Sequence, residues 1–560
     1  MEHDPMSNRA AAAPAVPASA SPRRAAAGWR RRRRRRLARR LAAGSALLLA
    51  ALAGSALRSV ATSQPSSVAG APESLLGQVM TLVRDRFAAE RSPDVYEAAA
   101  RGLVRELRDP HSQLLSPKEF EDFSRSALGR YAGVGMEIVP VGDSIYVGEV
   151  FADGGGAGAG MRRGDRLVGV DGAAVTGMRV DSVVARLRGE PASVVSVEYE
   201  RRGTPSATAR LQRGVVRLPA VPHTMVRRGI GYIPLPAVSG QAGPDFAQAL
   251  ERVLAEGARG LVLDLRGNPG GLVDQAAEVV SAFLPAGQPV VEIRERRRAE
   301  IVRTRRSFAN LERPVVVLVD ETSASAAEII AGALQDHDRA LVVGGLSYGK
   351  GLAQSVFPLD GGWALKLTTA KWYTPVGRSI HRDRTPGDSA RHDEMPSSVA
   401  AGAASFRSLG GRPLSGPGGI VPDVQVRNDS ITGAERQLAE ELGQSGDSVA
   451  AALARVAHRL SIGVDTTFRV TAREREELRR ELQRVAVRVD PARWSAAETW
   501  VTRLLEQRIA SYAFGSVEAR RRALPFDRQY LVADSLLRAA TSARDLVFRM
   551  GRASAQRRSG

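Results

Sequence analysis

Of the 80 basic residues in this 560-residue chain, only four are lysine: Lys118, Lys350, Lys366 and Lys371. A chain that uses arginine wherever a positive charge will serve keeps lysine for what arginine does badly. One such task is to lose a proton. Arginine stays charged in proteins, whereas a buried lysine is shifted down and can act as a general base. Lys350 lies between Gly349 and Gly351, which allow close approach to another backbone, and Gln354 follows four residues on. Residues four apart share a face on a helix or a strand, so Lys350 and Gln354 project to the same side. A nucleophile for that base is offered by Ser325. Val315 to Val319, Asp320 to Ser325 and Ala326 to Leu334 read as strand, tight turn and helix. A serine at such a turn projects its hydroxyl from the end of a sheet, and the next N–H, on Ala326, points where an oxyanion would form. Ser325 with Glu328 also fits a capping box, which needs no catalysis. The third piece is Leu261 to Gly271 (LVLDLRGNPGG), a buried strand running into a loop whose Gly270 or Gly271 N–H can face an anion or a carbonyl.

These pieces need elements to hold them. Leu261 to Leu265 and Val315 to Val319 are continuous apolar runs, as expected of strands covered on both faces, and helical patterns follow each. Residues 216–430 therefore read as an α/β core. Residues 130–215 alternate short apolar runs with Gly and Asp and read as a small β-rich module. Residues 73–129 and 431–560 read as helical, with Leu75, Leu76, Val79, Leu82 and Val83 at helical spacing in the first. Thr471 with Glu474 and Ser495 with Glu498 fit capping boxes in the second. Residues 381–417, rich in Gly, Ser, Pro and charge, read as a surface loop or disorder.

The formal net charge of +20 is not a nucleic-acid signature. Residues 1–40 hold 12 Arg and 2 acidic residues, and the other 520 hold 68 basic and 58 acidic residues with signs interspersed. Arg30 to Arg36, Arg39 and Arg40 precede an uncharged stretch from Leu41 to Leu57. A positive region before an apolar one has the layout of an export signal, or of a retained anchor with the arginines on the cytoplasmic side. Residues 1–60 are thus a basic tail with signal peptide or anchor, 61–72 a linker, and the rest is expected in the periplasm or cell envelope. With no cysteine, 7 His and no HExxH pattern, no metal or other cofactor is expected.

Taken together, the motifs resemble the C-terminal processing peptidases, tail-specific Ser/Lys proteases with a PDZ domain. Asp109 to Ser112 (DPHS) resembles the motif ahead of that domain. Tyr131 to Met136 (YAGVGM) and Ala159 to Gly172 resemble parts of the PDZ domain itself. Leu263 to Gly271 is similar to the oxyanion loop, and Ser323 to Ile329 (SASAAEI) to the nucleophile motif. Tyr348 to Gly351 with Gln354 is similar to the base motif, and Leu365 to Pro375 and Gly419 to Asp423 to segments that close the core. The departures are Asp320-Glu321-Thr322 ahead of the nucleophile and Ala327 for a common serine, neither expected to carry the reaction.

The resemblance implies an α/β protease core of the ClpP/crotonase type with an inserted PDZ domain and helical N- and C-terminal regions. It implies Ser325 as nucleophile, Lys350 as base, Gln354 orienting it, and Ala326 with Gly270 or Gly271 as oxyanion donors. It further implies capture of apolar protein or peptide C-termini by N–H groups around Gly133, Val134, Gly135 and Met136, the peptide adding as a strand. An adaptor, a homo-oligomer or an N-terminal membrane anchor would be compatible partners, and nucleic acid is not expected. Asp109 and His111 are expected to be structural, and Asp336 and His337 to tie down the nucleophile helix. Two other classes remain: a catalytically silent PDZ scaffold, against which Ser325, Lys350 and Gln354 all stand, and a non-proteolytic enzyme using the Gly-rich loop, against which the PDZ-like segment and export signal stand.

Overall fold

The computed structural model describes residues 72–87, 94–305, 312–382, 406–416, 418–427 and 431–548. The expected export segment, the 61–72 linker apart from its last residue, and most of the 381–417 excursion lie outside them. The periodic apolar residues near the start form two helices, α1 (Pro72–Arg86) and α2 (Val95–Glu106). Asp94 caps α2, its side chain accepting the Tyr96 and Glu97 N–H groups. These helices form a unit of their own, and a second unit begins at Asp109. Residues 109–128 thus belong with the core rather than with the leading helices.

The second unit opens with β1 (Gln113–Leu115) and α3 (Pro117–Leu128), which Ser116 and Glu119 cap as a box and Gly129 closes in the left-handed conformation. The β-rich module follows: β2 (Arg130–Gly133), β3 (Met136–Val141), β4 (Ser144–Val150), β5 (Arg166–Val170), α4 (Val180–Leu187), β6 (Val194–Glu200), β7 (Ala207–Gln212) and β8 (Gly214–Arg217). Its sheet runs β3-β4-β5-β6-β7, with β2 pairing β8 where the chain enters and leaves. Strand β3 lies at one end of the sheet, and among the described residues no strand pairs with its outer edge. Alternation puts Ile145, Val147, Leu167, Val195, Val197 and Leu211 in one apolar core under α4.

The core follows as β9 (Met225–Arg227), β10 (Ile230–Pro234), α5 (Ala242–Ala255), β11 (Gly260–Asp264), α6 (Val273–Ser281), β12 (Pro289–Glu295) and β13 (Ala299–Arg303). It continues with β14 (Val315–Val319), α7 (Ala326–Asp336), β15 (Leu341–Gly344), β16 (Leu352–Pro358), β17 (Ala364–Tyr373) and β18 (Val424–Gln425). One sheet has the order β9-β10-β11-β14-β15-β18, parallel from β10 onward. The all-apolar runs read from the sequence are its central strands, and every residue of β11 and β14 is buried. A second sheet has the order β1-β17-β12-β13 with β16 also on β17. Because β1 pairs with β17, chain from before the β-rich module returns to the core, so that module is an insertion.

Helices α5, α6 and α7 cover one face of the parallel sheet. The last part of the chain holds α8 (Gly433–Gly443), α9 (Gly446–Leu460), α10 (Ala472–Arg484), α11 (Pro491–Ala496), α12 (Glu498–Phe514), α13 (Ser516–Ala523) and α14 (Arg528–Ala539). Helices α8 to α12 bury their own cluster, including Leu453, Val456, Leu482, Val501 and Leu505. This bundle leans on the β-rich module, with His458 against Tyr146 (ring centroids 4.2 Å apart) and Arg163 Nη1 donating to the Ser511 carbonyl (3.1 Å). Leu524, Tyr530, Ala533, Leu537, Leu546 and Val547 instead pack on the open face of the parallel sheet, against Val262, Val316, Leu318 and Val343. Thr471 caps α10 with Glu474 as expected. Ser495 does not cap α12: it lies inside α11, and Ala497 stands at the start of α12. The 406–416 part of the excursion is anchored, since Arg412 donates to Asp338 (2.9 Å) and to the Gln335 carbonyl (3.0 Å) at the end of α7.

Candidate active site

The turn between β14 and α7 is built by Asp320. Its carboxylate accepts the Thr322 and Ser323 N–H groups (3.0 Å each) and the Thr322 hydroxyl (2.7 Å), and reaches across to the Gly267 N–H (3.2 Å). The Ser323 hydroxyl donates to the Leu265 carbonyl (2.8 Å), and Ala324 N–H to the Asn268 carbonyl (2.9 Å). The Asp320 position, one of the departures in the sequence, therefore joins the nucleophile turn to the glycine-rich loop. Ser325 stands at the end of this turn with φ 54° and ψ −115°. A non-glycine residue there is a strained outlier of the kind that concentrates at functional sites. Ser325 is half-buried, with Ala324 and Ala326 buried around it.

Glu328, one turn into α7 and fully buried, organises what lies next to Ser325. Its Oε2 accepts the Ser325 N–H at 2.8 Å and the Lys350 N–H at 2.9 Å. Its Oε1 accepts the Gly349 N–H at 2.7 Å and the Ser347 hydroxyl. The capping box expected of Ser325 and Glu328 is thus one part of a clamp between the serine's backbone and the lysine's. A further bond, Tyr348 N–H to the Ser323 carbonyl (3.0 Å), closes the same junction. Burial pushes the Glu328 carboxyl up, while four donors favour its anion. Gly349 is required where it stands: its φ is +87°, and a Cβ there would meet Arg382 at 3.0 Å and the Ile380 carbonyl at 3.2 Å.

Burial also pushes the Lys350 amine down, and the positive charge of Lys366 adds to the effect against Glu328 and Asp109. The buried Trp372 indole donates to the Lys350 carbonyl (3.0 Å), so the lysine's main chain is held from both sides. Gln354 lies on β16, and its amide donates to the Thr368 hydroxyl (3.3 Å) on β17. From there the bonds continue: Thr368 N–H to Ser112 Oγ (3.0 Å), and the Ser112 hydroxyl to Asp109 (2.5 Å). His111 is pushed down by burial and then by the Lys350 charge, so the DPHS segment stands in the lysine's electrostatic surroundings. Asp336 and His337 hold the far end of α7: Asp336 pairs with Arg378 and accepts the Val376 N–H (3.1 Å), and His337 Nε2 meets the Pro289 carbonyl (2.8 Å).

The glycine-rich loop packs on Ser325. A Cβ on Gly270 (φ +105°) would lie 2.8 Å from the Ser325 Cβ and 3.0 Å from the Ala326 nitrogen, so only glycine allows this approach. The two glycines are not equivalent as donors. The Gly270 N–H is taken by the Asn268 side chain (2.8 Å), and its carbonyl by the Val238 N–H (2.9 Å). In the parallel bridge between Val238 and Gly271, Val238 bonds to Gly270 and Leu272, so the Gly271 N–H faces away from it. The Ala326 N–H opens α7, where first-turn N–H groups lack a partner within the helix. Asn268, fully buried, also donates to the Leu235 carbonyl (2.7 Å). Its place between Gly267 and Pro269 was the available signal for this part.

In the β-rich module, the Val134 carbonyl accepts the Gly156 N–H (2.7 Å) and the Gly135 carbonyl the Phe151 N–H (2.9 Å). In trans peptides the following N–H groups, of Gly135 and Met136, point the opposite way. They lie at the start of β3, whose free edge faces out of the sheet. Gly133 ends β2 just before this turn. Among the described residues no group of His, Asp and Glu gathers to hold a metal, and no helix is long and apolar enough to cross a membrane.

The family model described as peptidase family S41 matches residues 229–390, and a PDZ domain model matches 127–200. The carboxy-terminal-processing protease of Bartonella bacilliformis is 34% identical over 314 residues, taking in 54% of this chain and 71% of that protein. The carboxy-terminal processing protease CtpB of Bacillus subtilis is 33% identical over 51% of this chain and 60% of its own length. Among solved structures, the photosystem II D1 C-terminal processing protease is 27% identical, with 66% of this chain and 90% of that one covered and a TM-score of 0.34.

Proposed function

Because this chain belongs to peptidase family S41 and carries a PDZ domain, we propose that it is a Ser/Lys endopeptidase that selects substrates by their C-terminal tails. The observation that carries this reading is the shared Glu328 Oε2, which brings the Ser325 and Lys350 main chains together at 2.8 and 2.9 Å. Lys350, neutral in its buried site, takes the Ser325 proton as Oγ attacks the scissile carbonyl. The tetrahedral oxyanion is held by the Ala326 N–H and the Gly271 N–H, Gly270 having spent its own on Asn268. The lysine then passes the proton to the leaving amine, and an acyl-enzyme remains. Water, deprotonated by the same lysine, releases it. An unperturbed lysine would be neutral in fewer than about one molecule in a thousand at pH 7, so the depression by burial is a requirement of the chemistry. Gln354 steadies this region through Thr368.

Substrate tails add along the free edge of β3, their carboxylate meeting the Gly135 and Met136 N–H groups. Arg30 to Arg36 ahead of the uncharged Leu41 to Leu57 have the layout of an export signal, which supports an enzyme that works outside the cytoplasm. The test uses the purified protein on an unfolded reporter with an apolar C-terminal tail and on the same reporter with a charged tail. Cleavage that favours the apolar tail and vanishes in Ser325→Ala is expected. Equal cleavage of both tails would remove tail selection from the account, and activity surviving in Ser325→Ala would remove the nucleophile.

A further inference from the structure

The glycine-rich loop is held on its other side by residues far along the chain. Arg266, the second residue after β11, turns its guanidinium back under the loop. Nε and Nη2 donate to the Asp264 carboxylate (2.8 and 2.6 Å), Nη1 and Nη2 to Asp527 (2.9 and 2.7 Å), and Nη1 to Gln529 Oε1 (3.0 Å). All five N–H groups of the fork are used, which fixes its position and orientation. Arg520 completes the group, donating to the Tyr232 hydroxyl (2.9 Å) and to Asp264 (2.9 Å). Tyr232 in turn donates to Asp264 (2.7 Å). Asp264, Arg266, Asp527 and Gln529 are at most 11% exposed.

Such a cluster is a poor way to stabilise a sheet face that is otherwise apolar. Removing charges from water is expensive, and well-packed apolar residues would serve stability as well or better. What it does provide is a fixed geometry at one place, the root of the loop that leads to Gly271. From the other side that root is bonded to the nucleophile turn, through Leu265 to Ser323 and Gly267 to Asp320. The loop is therefore suspended between the nucleophile turn and the C-terminal segment. Arg520, Asp527 and Gln529 fall outside both family matches, which cover residues 229–390 and 127–200.

We infer that the C-terminal segment carrying Arg520 and Asp527 is a working part of the active site: it positions the oxyanion loop, and so sets the rate of the chemical step rather than substrate capture. Asp527 and Arg520 are positioning residues acting through Arg266 on the Gly271 N–H. The inference rests on the Ser/Lys reading above and on Gly271 as an oxyanion donor.

The test compares the full chain with Asp527→Asn, Arg520→Gln and the conservative Arg520→Lys. Asp534→Asn serves as control, because that buried carboxylate pairs with Arg538 on α14 and does not touch the loop. Reactive Ser325 is first counted with an irreversible serine-directed phosphonylating reagent, so that turnover is expressed per competent site. Asp527→Asn and Arg520→Gln should lose about ten- to a hundredfold in kcat per site, the scale of a small misplacement at the reacting centre. KM and the affinity for an apolar-tailed peptide should stay within about twofold, and Arg520→Lys should recover part of the loss. A peptidyl boronate, which mimics the tetrahedral state, should lose affinity in step with kcat. Per-site turnover equal to wild type in both variants, with only the count of competent sites reduced as in the Asp534→Asn control, would overturn the inference and leave a purely structural cluster. If Asp527→Asn does not fold, Arg520→Gln decides alone, since Arg520 lies at the exposed end of the cluster. Ser325→Ala separates the two levels: activity in that variant would remove the Ser/Lys reading itself, whereas its silence beside wild-type turnover in Arg520→Gln removes only the positioning role.

Discussion

A lysine serves as a base only while its neutral form is accessible, and two neighbours act on Lys350 in opposite directions. Lys366 disfavours the charged amine, and Glu328 favours it. The sign of a substitution follows. Removing the positive charge in Lys366→Gln stabilises protonated Lys350, raises its pKa and moves the acid limb of kcat/KM to higher pH. A pH profile of cleavage checks this, and an unmoved or downward-shifted limb would count against Lys350 as the titrating base. Glu328→Gln offers an amide NH₂ where the carboxylate accepts the Ser325 and Lys350 N–H groups or the Gly349 N–H and Ser347 hydroxyl. A fall of about ten- to a hundredfold in kcat is expected, with tail binding retained, as measured by steady-state kinetics and peptide titration. The capping box of Ser325 with Glu328 was legible from their spacing of three. Its second use was not, because the other donors lie 19 to 22 residues further on and approach only once β15 is in place.

At the scale of elements, the parallel sheet is what aims the site. Loops after β11, β14 and β15 all leave from the same sheet end, carrying the Gly271, Ser325 and Lys350 segments in turn. Leu318, fully buried in β14 against the C-terminal helices, supports the strand that delivers Ser325. Leu318→Ala is expected to cost about 2–5 kcal/mol of stability, read as a lower denaturant midpoint. A cost near zero would mean that this face is less closely packed than described. Strand, turn and helix could be read over 315–334 because an all-apolar five-residue run, a polar turn and a helical repeat leave few alternatives. The end of the chain was harder. Ser495 with Glu498 has the spacing of a capping box, yet Pro491 starts a separate short helix after Asp490, and that helix absorbs Ser495. Nothing in the sequence distinguishes the Gly270 and Gly271 N–H groups, because the Val238 and Asn268 contacts that make them differ form only in the folded loop.

For the whole molecule, the C-terminal segment is part of the enzyme's body. Tyr530, Ala533 and Leu537 are the packing partners of β10, β11 and β14 on one face of the sheet. A chain ending after Arg427 would expose that face and unpair the Arg266 cluster, and it should be insoluble or unfolded, as judged by circular dichroism and size-exclusion chromatography. A well-folded truncated core would contradict this. The contact was invisible in sequence: Arg266 meets Asp527 across 261 residues, and neither Arg520 among 80 basic residues nor Asp527 among 60 acidic ones carries a local mark. The lysines were legible for the opposite reason, being four in number. The most direct test of the Ser/Lys account is therefore the charge-preserving variant Lys350→Arg, assayed on the apolar-tailed reporter beside wild type and Ser325→Ala. The account predicts cleavage by wild type alone, with tail binding unchanged in both variants. Cleavage retained in Lys350→Arg would contradict it, because arginine cannot supply the neutral base.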